Sequence, residues 1–459
     1  MNKLIKKIAI CLLSIILLVS FAACQEEIQG PAKVTASRTA NPTPKDLRGQ
    51  IRISGYRSAK YDDSLMDYIA QITLDYEGLE VEYDDNYTEE EYFATLDERV
   101  ASGDIGDIYL VRDTDLAAYA EKNFILDLTD YAANFYDYSN SGYEKIEIGQ
   151  EVFPAAYSGS QYNGRLYMIP CEYNHKYVFL NYTLLEQAGI TEVPGDKWTW
   201  DTFKRYASAV TSAGGAIVMN YTDYAVWGAF IKGAGGSVFA KQEDGSLNTS
   251  RVSLTDSETL AGLNELTNFV RDNRVVKELG SLDIAKVGIA VIDRAEMGLW
   301  RNSAETEYFD WSVLDFDWDF MHFPRFATHS VGAHSVGFVV KNSASANEEH
   351  NELCARVAMY SIFNEACKAY IGDGEVVPAN IEVSEMKFWR EFPVKGKNTS
   401  VFTNYYNSDF SASLTSVMSL SAAKQMTVGA AIEQAKSGGN LMSLLQSIER
   451  TVNSTLGGS

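Results

Sequence analysis

Apolar and polar positions alternate along this chain in two rhythms. Ile51 and Ile53 alternate with polar neighbours and stop at Ser54-Gly55, which predicts a strand and then a loop. Leu65, Tyr68, Ile69, Ile72 and Tyr76 recur at helical spacing, with Gly78 as the expected C-cap. Leu79, Val81 and Tyr83 alternate again. Residues 88–102 place Tyr92, Phe93, Leu96 and Val100 on one helical face and end at Gly103. A short apolar strand over 105–111 and a helix over 116–122 follow. Further strands are predicted at 166–170, 176–180, 318–324 and 335–340, and helices at 200–213, 255–273, 349–370 and from Ser411 onward. Residues 287–292 fit either state. Strands alternating with helices of this length predict an α/β chain with mostly parallel, helix-covered sheets. No internal repeat is visible.

The start of the chain follows a different rule. Lys3, Lys6 and Lys7 precede an almost purely apolar run from Ile8 to Phe21, too short to span a bilayer comfortably. Residues 1–23 read as a secretory signal peptide. Ala22-Ala23-Cys24 resembles the bacterial lipobox, with Phe21 where Leu is usual. That resemblance implies lipidation of Cys24 and a protein tethered to the outer face of the cell membrane. Residues 24–48, with Pro31, Pro42 and Pro44 among Thr, Ser and Ala, read as a linker.

Composition narrows the class. With 459 residues, two domains are the expectation. The chain carries 39 Lys+Arg against 62 Asp+Glu, a formal net charge of -23, which argues against a nucleic-acid partner. Aromatic residues reach 12%, a content that suits core packing and also flat sugar rings. Beyond Cys24, Cys171, Cys354 and Cys367 form no CxxC. Cys354 and Cys367 fit either buried thiols or one bridge. There is no phosphate loop, HExxH, EF-hand loop or GxSxG, and the five His lack metal-ligand spacing. Neither a cofactor nor a metal is implied. Carboxylate pairs abound in so acidic a chain, and none stands out as a glycosidase pair.

An ordered series of short motifs says more. Gly103-Asp104-Ile105-Gly106-Asp107-Ile108, Tyr162-Asn163-Gly164-Arg165-Leu166-Tyr167-Met168-Ile169-Pro170, Asn181 to Ile190, and Trp198-Thr199-Trp200-Asp201-Thr202-Phe203 follow one another. Gly235-Gly236, Ala295 to Trp300 and the stretch 374–378 come next. The series resembles the bacterial extracellular solute-binding proteins of sugar ABC transporters. The Asn163-Gly164-Arg165 turn departs from the commoner Asp-Gly-Lys, and residues 131–153 are longer than usual.

The resemblance implies a two-lobed periplasmic-binding-protein-like fold of class II type, with hinge strands joining the lobes. It places lobe 1 at 49–172 and 321–376, and lobe 2 at 173–320 and 377–459. It implies a monomer that binds a carbohydrate in the interlobe cleft, performs no bond chemistry and meets an ABC permease. By position in the family's motifs or in loops after strands, the expected ligand contacts are Tyr56, Arg57, Arg112, Asp113, Glu172, Asn174, Tyr224, Trp227, Trp300 and Arg301. Trp198 and Trp200 are expected in the core. An exported glycan hydrolase and a receptor for a peptide or polyamine remain as alternatives.

Overall fold

The computed structural model describes residues 48–56, 64–76, 78–84, 86–137, 144–195, 198–242, 247–298, 311–327, 330–343, 346–371, 376–386, 394–403 and 428–456. The expectations for the signal peptide, the linker, Cys24, Arg57, Trp300 and Arg301 fall outside these residues.

Two five-stranded sheets organise the rest. The first contains β1 (Gly49–Ser54), β2 (Leu79–Asp84), β3 (Ile108–Arg112), β4 (Ile169–His175) and β10 (Ala333–Val340), in the order β2-β1-β3-β10-β4. β1 runs parallel to β2 and β3, whereas β10 returns antiparallel between β3 and β4. The second contains β5 (Tyr177–Asn181), β6 (Ala216–Met219), β7 (Val275–Val276), β8 (Val287–Ile292) and β9 (Trp318–His322), in the order β7-β6-β8-β5-β9. Here β6 is parallel to β7 and β8, and β5 is antiparallel to β8 and β9. The ambiguous stretch 287–292 is thus a strand.

The first lobe shows how local sequence sets the scaffold. Helix α1 (Ser64–Asp75) buries Leu65, Tyr68, Ile69 and Ile72. It ends at Asp75, so Gly78 is no C-cap; instead the Gly78 carbonyl accepts the Gly49 N–H and starts the β1–β2 pairing. Helix α2 (Glu89–Ser102) opens on a reciprocal capping box between Thr88 and Glu91 and closes on Gly103 at φ 79°.

The following motif is structural. A side chain on Gly106 would press within 2.6 Å of the Arg52 carbonyl, and the Asp107 carboxylate accepts the Arg52 N–H at 2.9 Å. β3 therefore starts at Ile108, three residues later than expected. The Asn163-Gly164 turn has φ 51° and 73°, the positive pair that a tight two-residue hairpin needs. The expected single helix over 349–370 divides into α8 (Glu348–Tyr360) and α9 (Asn364–Ile371). Cys171, Cys354 and Cys367 are buried free thiols.

The second sheet is apolar on both faces. Val178, Leu180, Ile217, Met219, Ile289, Val291 and Met321 face helices α4 (Trp200–Ser212), α5 (Tyr224–Gly233) and α6 (Ser257–Asp272). Tyr177, Phe179, Val218, Ala290, Ile292 and Phe320 face the other way, against Trp311 and Phe402. Trp198 and Trp200 are buried, and their ring N–H groups donate to the His322 carbonyl and the Glu265 carboxylate, both at 2.8 Å. The terminal helices α10 (Val428–Lys436) and α11 (Leu441–Leu456) pack on this lobe. From α11, Asn453 and Glu449 accept the Val252 and Leu254 N–H groups.

Strand pairing, rather than composition, decides where the chain changes lobe. Lys176 alone separates β4 from β5. The return comes between His322 and Ala333, since β9 still pairs in the second sheet. Residues 376–386 stay with the first lobe, where Val377 and Ala379 hydrogen-bond Tyr173 and Cys171. These crossings lie three to ten or so residues beyond the boundaries expected from the sequence.

Candidate functional site

Parallel strands direct their carboxyl ends to one edge of a sheet, and the loops beyond that edge are where α/β proteins place ligands. In the first lobe this edge holds Tyr56 after β1, Arg112 at the end of β3 with Asp113 directly after it, and Glu172 and Asn174 on β4. The antiparallel return strand β10 begins at the same edge with Ala333, His334 and Ser335. In the second lobe the equivalent edge holds Asp223 and Tyr224 after β6, and Asp293 to Glu296 after β8.

Tyr56 is half-buried between Tyr92 and Phe93, with ring centroids 5.6 and 5.5 Å away. Its hydroxyl donates to Glu172 at 3.3 Å. The Arg112 guanidinium lies 3.7 Å from the Phe93 ring centroid and bonds Glu89 at 3.2 Å. Tyr56, Phe93 and Arg112 thus form an aromatic and planar polar surface at the rim of the first lobe. Glu172 and Asn174 are buried. Asn174 accepts the Val377 N–H at 3.2 Å, which ties the crossing strand to residues 376–386.

Asp113 is the first residue of helix α3 (Asp113–Glu121), not part of a loop. One of its oxygens accepts the Ser335 N–H at 3.2 Å; the other accepts the Tyr224 hydroxyl at 3.0 Å. Tyr224 opens α5 in the second lobe, so this hydrogen bond joins the two lobes directly. Burial pushes the Asp113 carboxyl up to about 6, against the opposing pull of His334, Tyr224 and Ser335.

Trp227 does not join this group. It is 1% exposed, packed in the second lobe's core one helical turn beyond Tyr224. The two aromatics are neighbours on the same side of α5, but Tyr224 sits at its first residue, where its hydroxyl reaches Asp113, whereas Trp227 lies a turn deeper in the core. Trp227 has no part in the site proposed below.

Sequence reasoning missed the charged centre beneath these residues. Lys176, 1% exposed, places its Nζ 2.9 Å from Asp293, 2.9 Å from Glu296 and 3.1 Å from Asp223. His334 Nε2 lies 2.9 Å from the same Asp293 oxygen that Lys176 contacts. Asp293 and Glu296 also form a reciprocal cap at the start of α7 (Arg294–Gly298), and Asp223 caps α5 by accepting the Ala225 N–H.

Burial alone would force these charges toward neutrality; their mutual contacts reverse that for most of them. Lys176 is held well above its ordinary value, first by Asp293. Asp293 and Asp223 are held low, chiefly by Lys176. Burial would lower His334, but the bond to Asp293 and the nearby Asp223 charge raise it to about 9. Glu296 goes the other way, to about 7, because burial and the charges of Asp293 and Asp223 outweigh Lys176.

The local signal was the Asp293-x-x-Glu296 capping pattern directly after an apolar strand. Nothing local pointed to Lys176 or Asp223 as partners.

Backbone packing supports the same centre. The Lys176 N–H donates to the Gly332 carbonyl at 2.9 Å, zipping the two crossings together. A side-chain carbon on Gly332 would lie 1.5 Å from the Ala225 carbonyl oxygen, so the second crossing rests directly on the first turn of α5. The cavity of about 320 Å³ lined by Asp107, Lys341, Asn347 and His350 lies at the opposite, amino-terminal end of β3 and is separate from this edge. Among the described residues no group of three His, Cys, Asp or Glu is placed to hold a metal ion, and no helix is long and apolar enough to cross a membrane.

Comparison with known proteins agrees with this architecture. An ABC substrate-binding protein from Listeria monocytogenes, solved in complex with cycloalternan, superposes with a TM-score of 0.65 at 17% identity, covering 89% of this chain and 99% of that one. The cyclic alpha-maltosyl-1,6-maltose binding protein of Arthrobacter globiformis gives 0.64 at 14% identity, with 90% and 100% covered. The GacH receptor of Streptomyces glaucescens, described unliganded and with acarbose, gives 0.63 at 13%, with 89% and 99% covered. These likenesses establish the two-lobed fold. A comparison with curated proteins found no sequence match. Residues 67–277 match the family described as bacterial extracellular solute-binding protein, a match that runs from the first lobe through the first crossing into the second.

Proposed function

We propose that this protein is the carbohydrate receptor of an ABC importer, anchored to the membrane by lipid on Cys24. The observation that carries the reading is the pairing of cleft edges. One edge offers Tyr56, Arg112, Asp113 and Glu172; the other offers Tyr224; and Asp113 meets Tyr224 across the lobes. A sugar presents apolar ring faces and a rim of hydroxyls. Aromatic surfaces and planar polar groups that bond two hydroxyls at once are the matching chemistry. Arg57, Trp300 and Arg301 belong to the same proposal on their sequence positions alone.

The family match supports capture rather than bond cleavage, and the structural relatives described with cycloalternan and acarbose support an oligosaccharide as the solute. A solute hydroxyl would take over the Tyr224 hydroxyl or the Asp113 carboxylate. It would favour a closed form that the permease recognises.

The test is calorimetry and thermal shift on the exported chain against a panel of linear and cyclic α-glucans, with polyamines and short peptides as further arms. The expected result is saturable binding of one sugar class, recovered intact. Cleaved sugar would establish the hydrolase instead. Binding confined to polyamines or peptides, or no binding in any arm, would overturn the reading.

A further inference from the structure

We propose that Asp293 is the shared anchor of the hinge, a positioning residue that sets how far the lobes separate before any solute arrives. The inference rests on the reading of the molecule as a receptor that opens and closes.

The chain crosses between the lobes at Lys176 and again in the stretch that leads from β9 to Ala333 and His334. A third passage, between residues 386 and 399, includes residues outside the described set. Asp293 belongs to neither crossing. It stands at the carboxyl end of β8, inside the second lobe. Yet one oxygen of its carboxylate receives Lys176 from the first crossing and His334 from the second, each at 2.9 Å. The crossings also bond each other, Lys176 N–H to Gly332 carbonyl, and the second lies against α5 without room for a side chain.

These contacts divide the hinge unevenly. Lys176, Gly332 and His334 are tied to the second lobe through Asp293, Asp223, Glu296 and the backbone of α5. Parting buried opposite charges leaves each without compensation, which is costly, so this assembly moves as one body. The first lobe is tied across the cleft differently. Asp113 meets Tyr224 through one hydrogen bond, and a solute hydroxyl can replace it. The bend on opening therefore falls on the first-lobe side of the crossings, near Asn174 and His175 on one strand and Ser335 and Val336 on the other. Hinge motions of this kind are absorbed by a few residues at element ends.

The geometry separates Asp293 from its neighbours. Asp223 makes direct contact with Lys176 and its own helix cap, and acts on His334 only at a distance, through its charge. Asp293 serves both.

The experiment measures the distance between spin labels on Glu90→Cys in α2 and Gln187→Cys beyond β5, in the exported chain without solute. Both positions are exposed, and the native Cys171, Cys354 and Cys367 are buried. The unsubstituted background is expected to give one narrow distance distribution. Asp293→Asn should at least double its width, while Asp223→Asn leaves it unchanged. His334→Leu should broaden it too, and His334→Gln, which keeps a donor toward Asp293, should restore it. The His334 pair carries the test if Asp293→Asn fails to fold.

An unchanged width in Asp293→Asn or His334→Leu would overturn the proposal. So would equal broadening in Asp223→Asn, which would mean that the charged cluster stabilises the lobe without positioning the hinge. Thermal midpoints recorded alongside show whether stability alone has moved. No solute enters the measurement, so its outcome is independent of which sugar, if any, the cleft takes.

Discussion

Each region of the molecule buries a cation against carboxylate charge, and the two do so by different means. In the first lobe Arg99 reaches from α2 to Asp84 at the end of β2, donates through Nε to the Asp104 carbonyl at 3.2 Å, and lies 4.7 Å from the Tyr87 ring centroid. All of its partners fall within about 15 residues. The planar guanidinium takes its partners in fixed directions, which suits a joint between one helix and one strand. At the crossings, Lys176 gathers Asp223, Asp293 and Glu296, the nearest of them in sequence 47 residues away. An ammonium is a compact point charge with three rotatable donors, so it can accept carboxylates that arrive from separate loops. The arginine fixes the inside of a lobe; the lysine fixes the place where lobes meet.

That contrast can be broken experimentally. Lys176→Met strands three carboxylates in a buried site and is expected to remove about 3–5 kcal/mol of stability, measured by urea unfolding. Arg99→Met should cost less, about 2–3 kcal/mol, because Asp84 keeps contacts with Arg52 and Asn86. Equal losses would remove the distinction between the two sites.

The next test uses pH. His334 faces Asp293, Asp223, Lys176 and Tyr224, and its folded value near 9 exceeds the ordinary 6.5. A folded group that holds its proton more tightly than the unfolded chain stabilises the fold fully below pH 6.5. That contribution is lost as pH rises toward 9. Stability should fall by about 2 kcal/mol across this window, and His334→Gln should flatten the fall. Asp113 and Glu296, also raised, contribute losses of the same sign at lower pH, between their ordinary values and about 6 and 7.

The smallest effect concerns the cleft edge. Asp113→Asn keeps the shape but replaces an acceptor-only group, and it should weaken solute affinity about tenfold, roughly 1.4 kcal/mol, with little change in unfolding midpoint. Calorimetry with the best sugar of the panel reads it.

How far the sequence revealed this arrangement depends on the range of the interaction. The alternation of Ile51 with Ile53 and of Leu79, Val81 and Tyr83, the helical spacing of Tyr92, Leu96 and Val100, and the Asn163-Gly164 turn are local, and each is visible as spacing. The Asp113–Tyr224 contact spans 111 residues. Its members were individually marked as candidates, but no periodicity could pair them. Trp227 shows the limit of reading aromatics: one turn from Tyr224 on the same side of the helix, it fills the core, because depth along the helix, and not its face, separates the two. The Lys176 cluster was illegible for the opposite reason. Its carboxylates look like every other acidic residue in an acidic chain until the fold converges them.

The meeting of Gly332 with Ala225 has a consequence for the family tree of this molecule. Two main chains touch there with no atom to spare, so position 332 has no conservative neighbour to drift into. In a saturation library it would read as a blank column beside permissive ones, and any remodelling of the neighbouring loops would have to be made around it.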